Sequence, residues 1–459
     1  MQGASQNHGP LAGVRVVDFS VHAAGPFAGL MLAELGAQVV KIESSARLDI
    51  TRRPHTMYGK PPSSFEQVNA NKLSVCLNLK EPRAVELALE LVRVSDLVLE
   101  NFRPGVMERL GLGAGRLRRV KPDIIVVSLS SNGQTGPERG YAGYAPMFSA
   151  LGGLGHLTGY PDGPPVELRH AMDHTGGMLA AFCAVAALCV KSRLAASVGG
   201  PPVPPSAKCA PVAPSADGAP VPPFGNGAPF PPFDNDAPSP PLDKGGSGGI
   251  SPAQHVDVSV RDMGTAFIGP ALLDYAMNQR EAQRQGNHDE SCAPQGVYRC
   301  KGEDAWVSIS VGSETEWRGL RRALGDPSWS GEPRFSDGYQ RWLSRDELDR
   351  RLGDWTRHFT PWEITGLLQR ESVAAFPSLS AAQLAGDPHL LARHAFPTID
   401  HPEKGRQRAV APPWRFSGTP ARVDRWTPDL GEHNLEVFHG LLGLDAGQVR
   451  ALEEAKVVW

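Results

Sequence analysis

Cysteine is scarce in this chain, six in 459 residues, with no CxxC pair and no zinc-ligand spacing. A disulfide-stapled secreted scaffold and a zinc ribbon are excluded on that ground, and the thiols are expected to be reduced ones of a cytoplasmic protein. Basic runs are missing too. With 46 Lys and Arg against 49 Asp and Glu the net charge is -3, and no Lys/Arg-dense patch supports binding to nucleic acid. The most apolar run, residues 178–190, falls short of the roughly 20 residues that span a bilayer, so no membrane partner is expected. The start of the chain carries neither a basic n-region nor an apolar h-region and does not read as a signal peptide.

What the chain does have is a regular exchange of two hydrophobic periods. Residues 14–19 read as a buried strand, and Ala24-Gly25-Pro26 turns the chain, with Pro26 suited to a first helical position. A short helix follows over 27–35, Gly36 closes it, and 38–43 is the next strand. The pattern continues with strands at 73–79, 97–100 and 124–129 and helices at 82–94 and 106–120. Strands alternating with helices predict an α/β fold, a Rossmann-like parallel sheet with helices on its faces. Glu43 falls about where a ribose-binding acid of a dinucleotide site would stand. Yet Ala24-Gly25-Pro26-Phe27-Ala28-Gly29 is not GxGxxG, and a tight strand-to-helix turn explains it better.

Residues 197–253 differ in kind. Runs such as Pro201-Pro202-Val203-Pro204-Pro205 and Pro231-Pro232-Phe233 end in Gly245-Gly246-Ser247-Gly248-Gly249. Such a stretch buries too little apolar surface to fold, and a disordered insert is expected in preference to a polyproline ligand. It separates an apolar helix ending near 193 from an alternating strand at 255–260, two elements expected to lie close in space. Beyond it, 263–280 reads as helix, 296–300 and 305–311 as strand–turn–strand, and 346–355 and 362–371 as helices of a smaller unit. The expected organisation is a large-domain part (10–196), the insert (197–253), a linking strand and helix (254–285), a small α/β domain (286–385) and a C-terminal segment returning to the large domain (386–459).

The residue with the most chemical promise is Asp173, in His170-Ala171-Met172-Asp173-His174-Thr175-Gly176-Gly177, just before the apolar run. Unpaired N–H groups and the helix dipole favour an ionised carboxylate there. Such a group serves as a cap or as a nucleophile, and this segment taken alone reads as a cap. His170 and His174 share a helical face. No Glu stands between them as HExxH requires and no third ligand is apparent, so no metal is expected.

Laid out in order, several short motifs change the weight of that aspartate. They include Leu11-Ala12-Gly13-Val14-Arg15-Val16-Val17-Asp18-Phe19, Leu35-Gly36-Ala37-Gln38-Val39-Val40-Lys41-Ile42-Glu43 and Asn69-Ala70-Asn71-Lys72-Leu73. Glu100-Asn101-Phe102-Arg103-Pro104-Gly105, Gly133-Gln134-Thr135-Gly136-Pro137, Gly286-Asn287-His288 and Leu430-Gly431-Glu432-His433-Asn434 follow. Together they resemble the family III CoA-transferases of the CaiB/BaiF type, over nearly everything except about 197–253. The resemblance implies a Rossmann-like large domain built from both chain ends, a smaller α/β domain, and an interlocked homodimer. It implies coenzyme A, carried as acyl-CoA, as substrate, a carboxylic acid as the other partner, and no permanently bound cofactor. Asp173 matches the residue that attacks the acyl-CoA thioester. The nucleotide end of CoA maps to Leu77, Leu79, Lys80, Asn101, Phe102 and Arg109, where Lys80 and Arg109 suit phosphates and Phe102 or the leucines suit adenine. Tyr144, Gly176 and Gly177 map to the substrate pocket, the glycines permitting close backbone approach and N–H groups for an oxyanion.

Three departures from the family pattern concern the substrate more than the chemistry. Ala23 replaces a frequent Gln, Met172 replaces the Gly before the aspartate, and Ser44-Ser45-Ala46-Arg47-Leu48-Asp49 replaces a Pro-x-x-Gly-Asp run. An α-methylacyl-CoA racemase is the nearest alternative, but its proton-accepting His belongs where Tyr144 stands, and a phenol is a poor base at neutral pH. A non-catalytic CoA-binding homologue is the other.

Overall fold

The computed structural model describes residues 9–52, 64–168, 170–197, 252–403 and 405–459. Six strands form one sheet: β1 (Arg15–Asp18), β2 (Gln38–Glu43), β3 (Leu73–Cys76), β4 (Leu97–Glu100), β5 (Ile125–Ser130) and β6 (His255–Ser259). Their order is β3-β2-β1-β4-β5-β6 and every neighbouring pair is parallel. In this doubly wound order the chain walks outward from β1, then restarts at β4 on the other side, leaving a crevice between the two. Residues 198–251 of the expected insert lie outside the described residues.

A parallel sheet is covered on both faces, and here each face has its own core. On one, the helices Pro82–Arg93, Ala114–Val120 and Asn434–Leu442 press Leu87, Leu91, Leu117, Val437 and Phe438 towards Val17, Val40 and Val98. On the other, Ala24–Glu34 and Ala171–Ser197 bury Ala28, Leu32, Ala180 and Ala184 against Val16, Val39, Leu129 and Val258. The apolar helix and β6 therefore do pack together across the break in the chain.

Several predicted boundaries move, each for a local reason. The first helix starts at Ala24, so Pro26 sits inside its first turn. The 106–120 stretch is two helices, Val106–Arg109 and Ala114–Val120, because Gly111 adopts φ 71° between them. Residues 263–280 likewise divide into Val260–Phe267 and Gly269–Asn278, broken where Pro270 cannot continue the preceding hydrogen-bond ladder. The third strand stops at Cys76, and Leu77 forms only an isolated bridge with Val458.

The apolar run also extends further than the sequence suggested. Residues 178–190 are the middle of the 27-residue helix Ala171–Ser197, whose Ala171–Leu194 stretch is long and apolar enough to cross a membrane by length and composition. The shorter window left out its flanks, where Asp173, His174, Thr175 and two glycines at one end and Lys191 and Arg193 at the other interrupt the apolar run. One side of this helix packs on the sheet, while Met178 and Phe182 on another side are exposed, Phe182 by 71%.

A second, antiparallel sheet is formed by β7 (Gln295–Arg299), β8 (Trp306–Ser310) and β9 (Ala374–Pro377), and β9 was not foreseen. Val307, Ile309, Trp317, Leu320, Leu352 and Leu368 make its core with the surrounding helices. A hairpin of β10 (Thr398–His401) and β11 (Gly405–Arg408) follows. The chain end then returns to β3: His433 N–H donates to Ser74 O at 3.0 Å, and Cys76 N–H donates to Asn434 Oδ1 at 2.9 Å. Glu43 is spoken for in this seam. It accepts Arg52 through two bonds of 2.7 Å and the Ser74 hydroxyl at 2.6 Å, so it is closed to a ribose.

Candidate active site

The crevice between β1 and β4 opens at the C-terminal ends of both strands, where doubly wound sheets bind their ligands. Its floor is a buried charge network. Lys72 Nζ lies 3.0 Å from Asp18 Oδ2 and also donates to Asn69 Oδ1 and the Pro26 carbonyl, each at 2.8 Å. Burial alone would raise the Asp18 carboxyl, but Lys72 and Lys41 hold it below its ordinary value. Lys41 Nζ donates to the Ser20 carbonyl at 2.7 Å, and Asn101 clasps the Val21 peptide from both sides at 2.8 Å. Gly25 is required at this turn, since a Cβ there would lie 2.4 Å from Ser20 Cβ and 2.9 Å from Asn101 Cγ.

Just above the floor, the chain passes through His22 in the left-handed region, φ 66°, with its N–H donating to Asp49 Oδ2 at 3.1 Å. The His22 ring meets Tyr144 edge-on at 5.8 Å. Asp173 comes to the same place from the opposite element, in the first turn of Ala171–Ser197. His170, preceding that helix, also has a left-handed φ, 60°, and the His174 ring packs edge-on against Phe27 at 4.5 Å. His174 Nδ1 lies 2.8 Å from the His170 carbonyl, so Nδ1 carries a proton and donates it there. Two residues other than glycine in the left-handed region, on either side of one carboxylate, are a cost that local packing imposes.

Asp173 itself departs from the sequence expectation. It is the third residue of the helix and not its cap, and its carboxylate accepts no hydrogen bond among the described residues. Burial pushes its carboxyl up from the ordinary value, against the pull of His174, His170 and His22. Nearby histidines, not capping bonds, are what favour the ionised form. Its lone pairs are left free to meet an electrophile.

The other singled-out residues fall into separate places. Gly176 and Gly177 lie within the helix and make close packing possible instead of lining a pocket. A Cβ on Gly177 would sit 2.6 Å from the Ala24 carbonyl oxygen, and one on Gly176 would sit 3.2 Å from Val260 Cγ2. Their peptide groups belong to the helix interior, which removes them as oxyanion donors. Leu77 is wholly buried in the core, with Leu79 and Phe102 partly buried against the same cluster. Lys80 and Arg109 are exposed, and Asn101 holds Val21 as described. Tyr144 is 62% exposed beside His22. Among the described residues no three His, Cys, Asp or Glu side chains converge as metal ligands. Sequence reasoning missed His22 and Phe27. The only signal was position: both flank the turn at the end of the first strand.

A separate cleft of about 580 Å³ opens between the 132–138 loop, the start of Val260–Phe267 and the middle of Ala171–Ser197. Leu179, Cys183, Asp257 and Arg261 line it, and Asn132 Oδ1 is left without a partner among the described residues.

This fold and this crevice have known counterparts. The description of CoA-transferase family III matches residues 11–195 and 246–434, and the chain belongs to that family. It is accordingly a CoA-transferase, and its relatives span its full length. A succinyl-CoA–D-citramalate CoA-transferase of Chloroflexus aurantiacus is 29% identical over 98% of both chains. A formyl-CoA:oxalate CoA-transferase of Streptomyces avermitilis is 28% identical over 98% of this chain and 99% of its own. Among solved structures, a CaiB/BaiF family protein from Brucella suis superposes with a TM-score of 0.74 at 25% identity, covering 95% of this chain and all of that one.

Proposed function

We propose that the chain moves CoA from an acyl-CoA donor to a carboxylic acid, with Asp173 as the nucleophile. The Asp173 carboxylate attacks the thioester carbonyl, giving a mixed acyl–aspartyl anhydride and CoA thiolate. The thiolate attacks the aspartyl carbonyl, forming an aspartyl-CoA thioester as the donor's carboxylate leaves. The acceptor carboxylate then attacks that thioester and expels the thiolate. Last, the thiolate attacks the acyl carbonyl of the new anhydride, releasing acyl-CoA and restoring Asp173. Each step exchanges bonds of comparable energy, so no ATP and no external proton source enters the balance.

The observation that carries this reading is the state of Asp173: partly buried, unbonded among the described residues, and faced by His22, His170 and His174. A carboxylate raised by burial is more basic than one in water, and the imidazoles facing it pull the other way and favour its ionised form. The same imidazoles suit an acceptor bearing a second carboxylate, as the named acceptors of the relatives do. The nucleotide end of CoA is assigned to the mouth of β4, at Asn101 and Phe102, with Lys80 and Arg109 meeting the phosphates.

A second copy of the chain completes the enzyme in this reading. The helix Gly269–Asn278 has no buried residue, yet it presents Leu273 and Met277, the latter 79% exposed, and Phe182 is bare on Ala171–Ser197. Apolar surface of that extent marks an interface.

The test is trapping. Incubation with succinyl-CoA followed by hydroxylamine or borohydride should modify Asp173, and the modification should vanish in Asp173→Ala along with exchange between succinyl-CoA and labelled succinate. Solvent deuterium entering the α-carbon without any acyl exchange would overturn transfer in favour of racemisation, with His22 beside Tyr144 as the second base.

A further inference from the structure

Behind the mouth of β4 lies a second polar chain that the proposed reaction does not use. Glu100 and Ser128 are register partners across β4 and β5, and both are buried. Ser128 Oγ lies 2.9 Å from His255 Nε2, at the start of β6. On its other side the Glu100 carboxylate accepts the Phe102 N–H at Oε2, 2.8 Å. The three side chains share a small cavity of about 20 Å³ with Arg103, Glu108 and Gln134. That volume is enough for a single water.

The arrangement has two complete hydrogen-bonding states. With Glu100 ionised, the Ser128 hydroxyl donates to the carboxylate, and neutral His255 donates its Nε2–H to Ser128. With Glu100 protonated, its O–H donates to Ser128, Ser128 donates to the Nε2 lone pair, and His255 holds its proton on Nδ1. One proton gained at Glu100 therefore reverses the direction of donation along the chain from Glu100 through Ser128 to His255 Nε2 without breaking a link. The Phe102 tie is what changes. It is charge-assisted in the first state and an ordinary, roughly half as strong bond in the second.

We infer that Glu100 is a positioning residue for CoA: its ionised form holds the Asn101–Phe102–Arg103 turn in the shape that receives the nucleotide, and its protonation releases that turn. The inference rests on the assignment of CoA to Asn101 and Phe102 made above. Burial moves the Glu100 carboxyl up to about 7, with Ser128 and the Phe102 N–H opposing, and Glu108 and Asp257 adding to the rise. His255 is pushed down by burial and by Arg118, with Asp257 and Glu108 pulling the other way, which favours its neutral form. The switch thus works across the pH range in which the enzyme would operate.

If only the ionised form binds, a group titrating near 7 is about 90% competent at pH 8 and about 10% at pH 6, a tenfold change in apparent affinity. The experiment is direct calorimetric titration of the full-length protein with CoA at pH 6, 7 and 8, for the wild type, Glu100→Gln, Ser128→Ala and Phe102→Ala. Glu100→Gln, which is never ionised, should bind more than tenfold weaker than the wild type at pH 8 and show none of this pH dependence, after the shared effect of the CoA 3′-phosphate cancels in the ratio. Ser128→Ala should move the wild-type midpoint upward, because the carboxylate loses a donor. Equal pH slopes in wild type and Glu100→Gln overturn the inference while CoA binding itself persists. Should Phe102→Ala bind CoA as tightly as the wild type, the assignment of the nucleotide fails, and this inference with it.

Discussion

Replacing Gly177 by alanine tests how the helix that carries Asp173 is held. Gly177 stands one turn after Asp173, and its added methyl would lie 2.6 Å from the Ala24 carbonyl oxygen and 3.2 Å from the Ala28 nitrogen. Both neighbours are backbone of a buried helix and cannot swing aside. Ordinary contact of about 3.4 Å is regained only if the helices separate by about 0.8 Å. Overpacking of this kind costs about 1–3 kcal/mol, partly offset by the 0.8–1 kcal/mol that alanine gains over glycine in a helix. Net destabilisation should be about 0–2 kcal/mol. The larger effect falls on the reaction, because a shift near 1 Å at a reacting group costs on the order of a hundredfold in rate. Gly176→Ala is the control. Its methyl meets a single Val260 methyl at 3.2 Å, which a side-chain adjustment relieves. That variant should be as stable as the wild type or more so by about 0.5–1 kcal/mol, with exchange within about twofold. The assay is urea unfolding together with succinyl-CoA/succinate identity exchange. Full activity in Gly177→Ala, or equal loss in both variants, would refute the reasoning.

Two further outcomes follow from buried and absent groups. Glu34 ends its helix 6% exposed, and burial raises its carboxyl from 4.5 to about 8. Between those values the native state holds a proton that the unfolded chain has released, so stability should fall as pH rises from about 5 to 8. Urea midpoints across that window should flatten in Glu34→Gln, which removes at most on the order of 4 kcal/mol of pH-dependent stability. Replacing residues 198–251 with a short Gly/Ser linker should leave exchange activity within about twofold, since loop length carries a small entropic cost. A tenfold loss would give the insert a part in the reaction.

The sheet was legible because its strands and helices announce themselves by period and by punctuation. Strands such as Leu97–Glu100 are short continuous apolar runs, and Pro82 marks a first helical position. What could not be read was anything settled by distant contact. The strand order, the bond from His433 to Ser74, and the buried pair of Lys72 with Asp18 join residues that no local pattern relates. Glycine and proline breaks inside 106–120 and 263–280 were visible as residues but were overrun by the apolar repeat around them. At the candidate site, the ordered motifs are what single out Asp173, on which the proposed reaction rests. His22 was not, because one histidine in a turn has no spacing to betray it. Gly176 and Gly177 were rightly marked as positions of close approach, but the neighbour is another helix.

The helix Ala171–Ser197 begins beside Asp173, the proposed nucleophile, and ends where the chain departs into residues 198–251. Twenty-four residues at about 1.5 Å each set those two points about 36 Å apart. Such a helix is a standoff. A segment spliced in at that far end, whether a repeat, a fluorescent tag or a tether to a surface, joins the fold about 36 Å from Asp173. That gives the fold an attachment point set well apart from the proposed nucleophile.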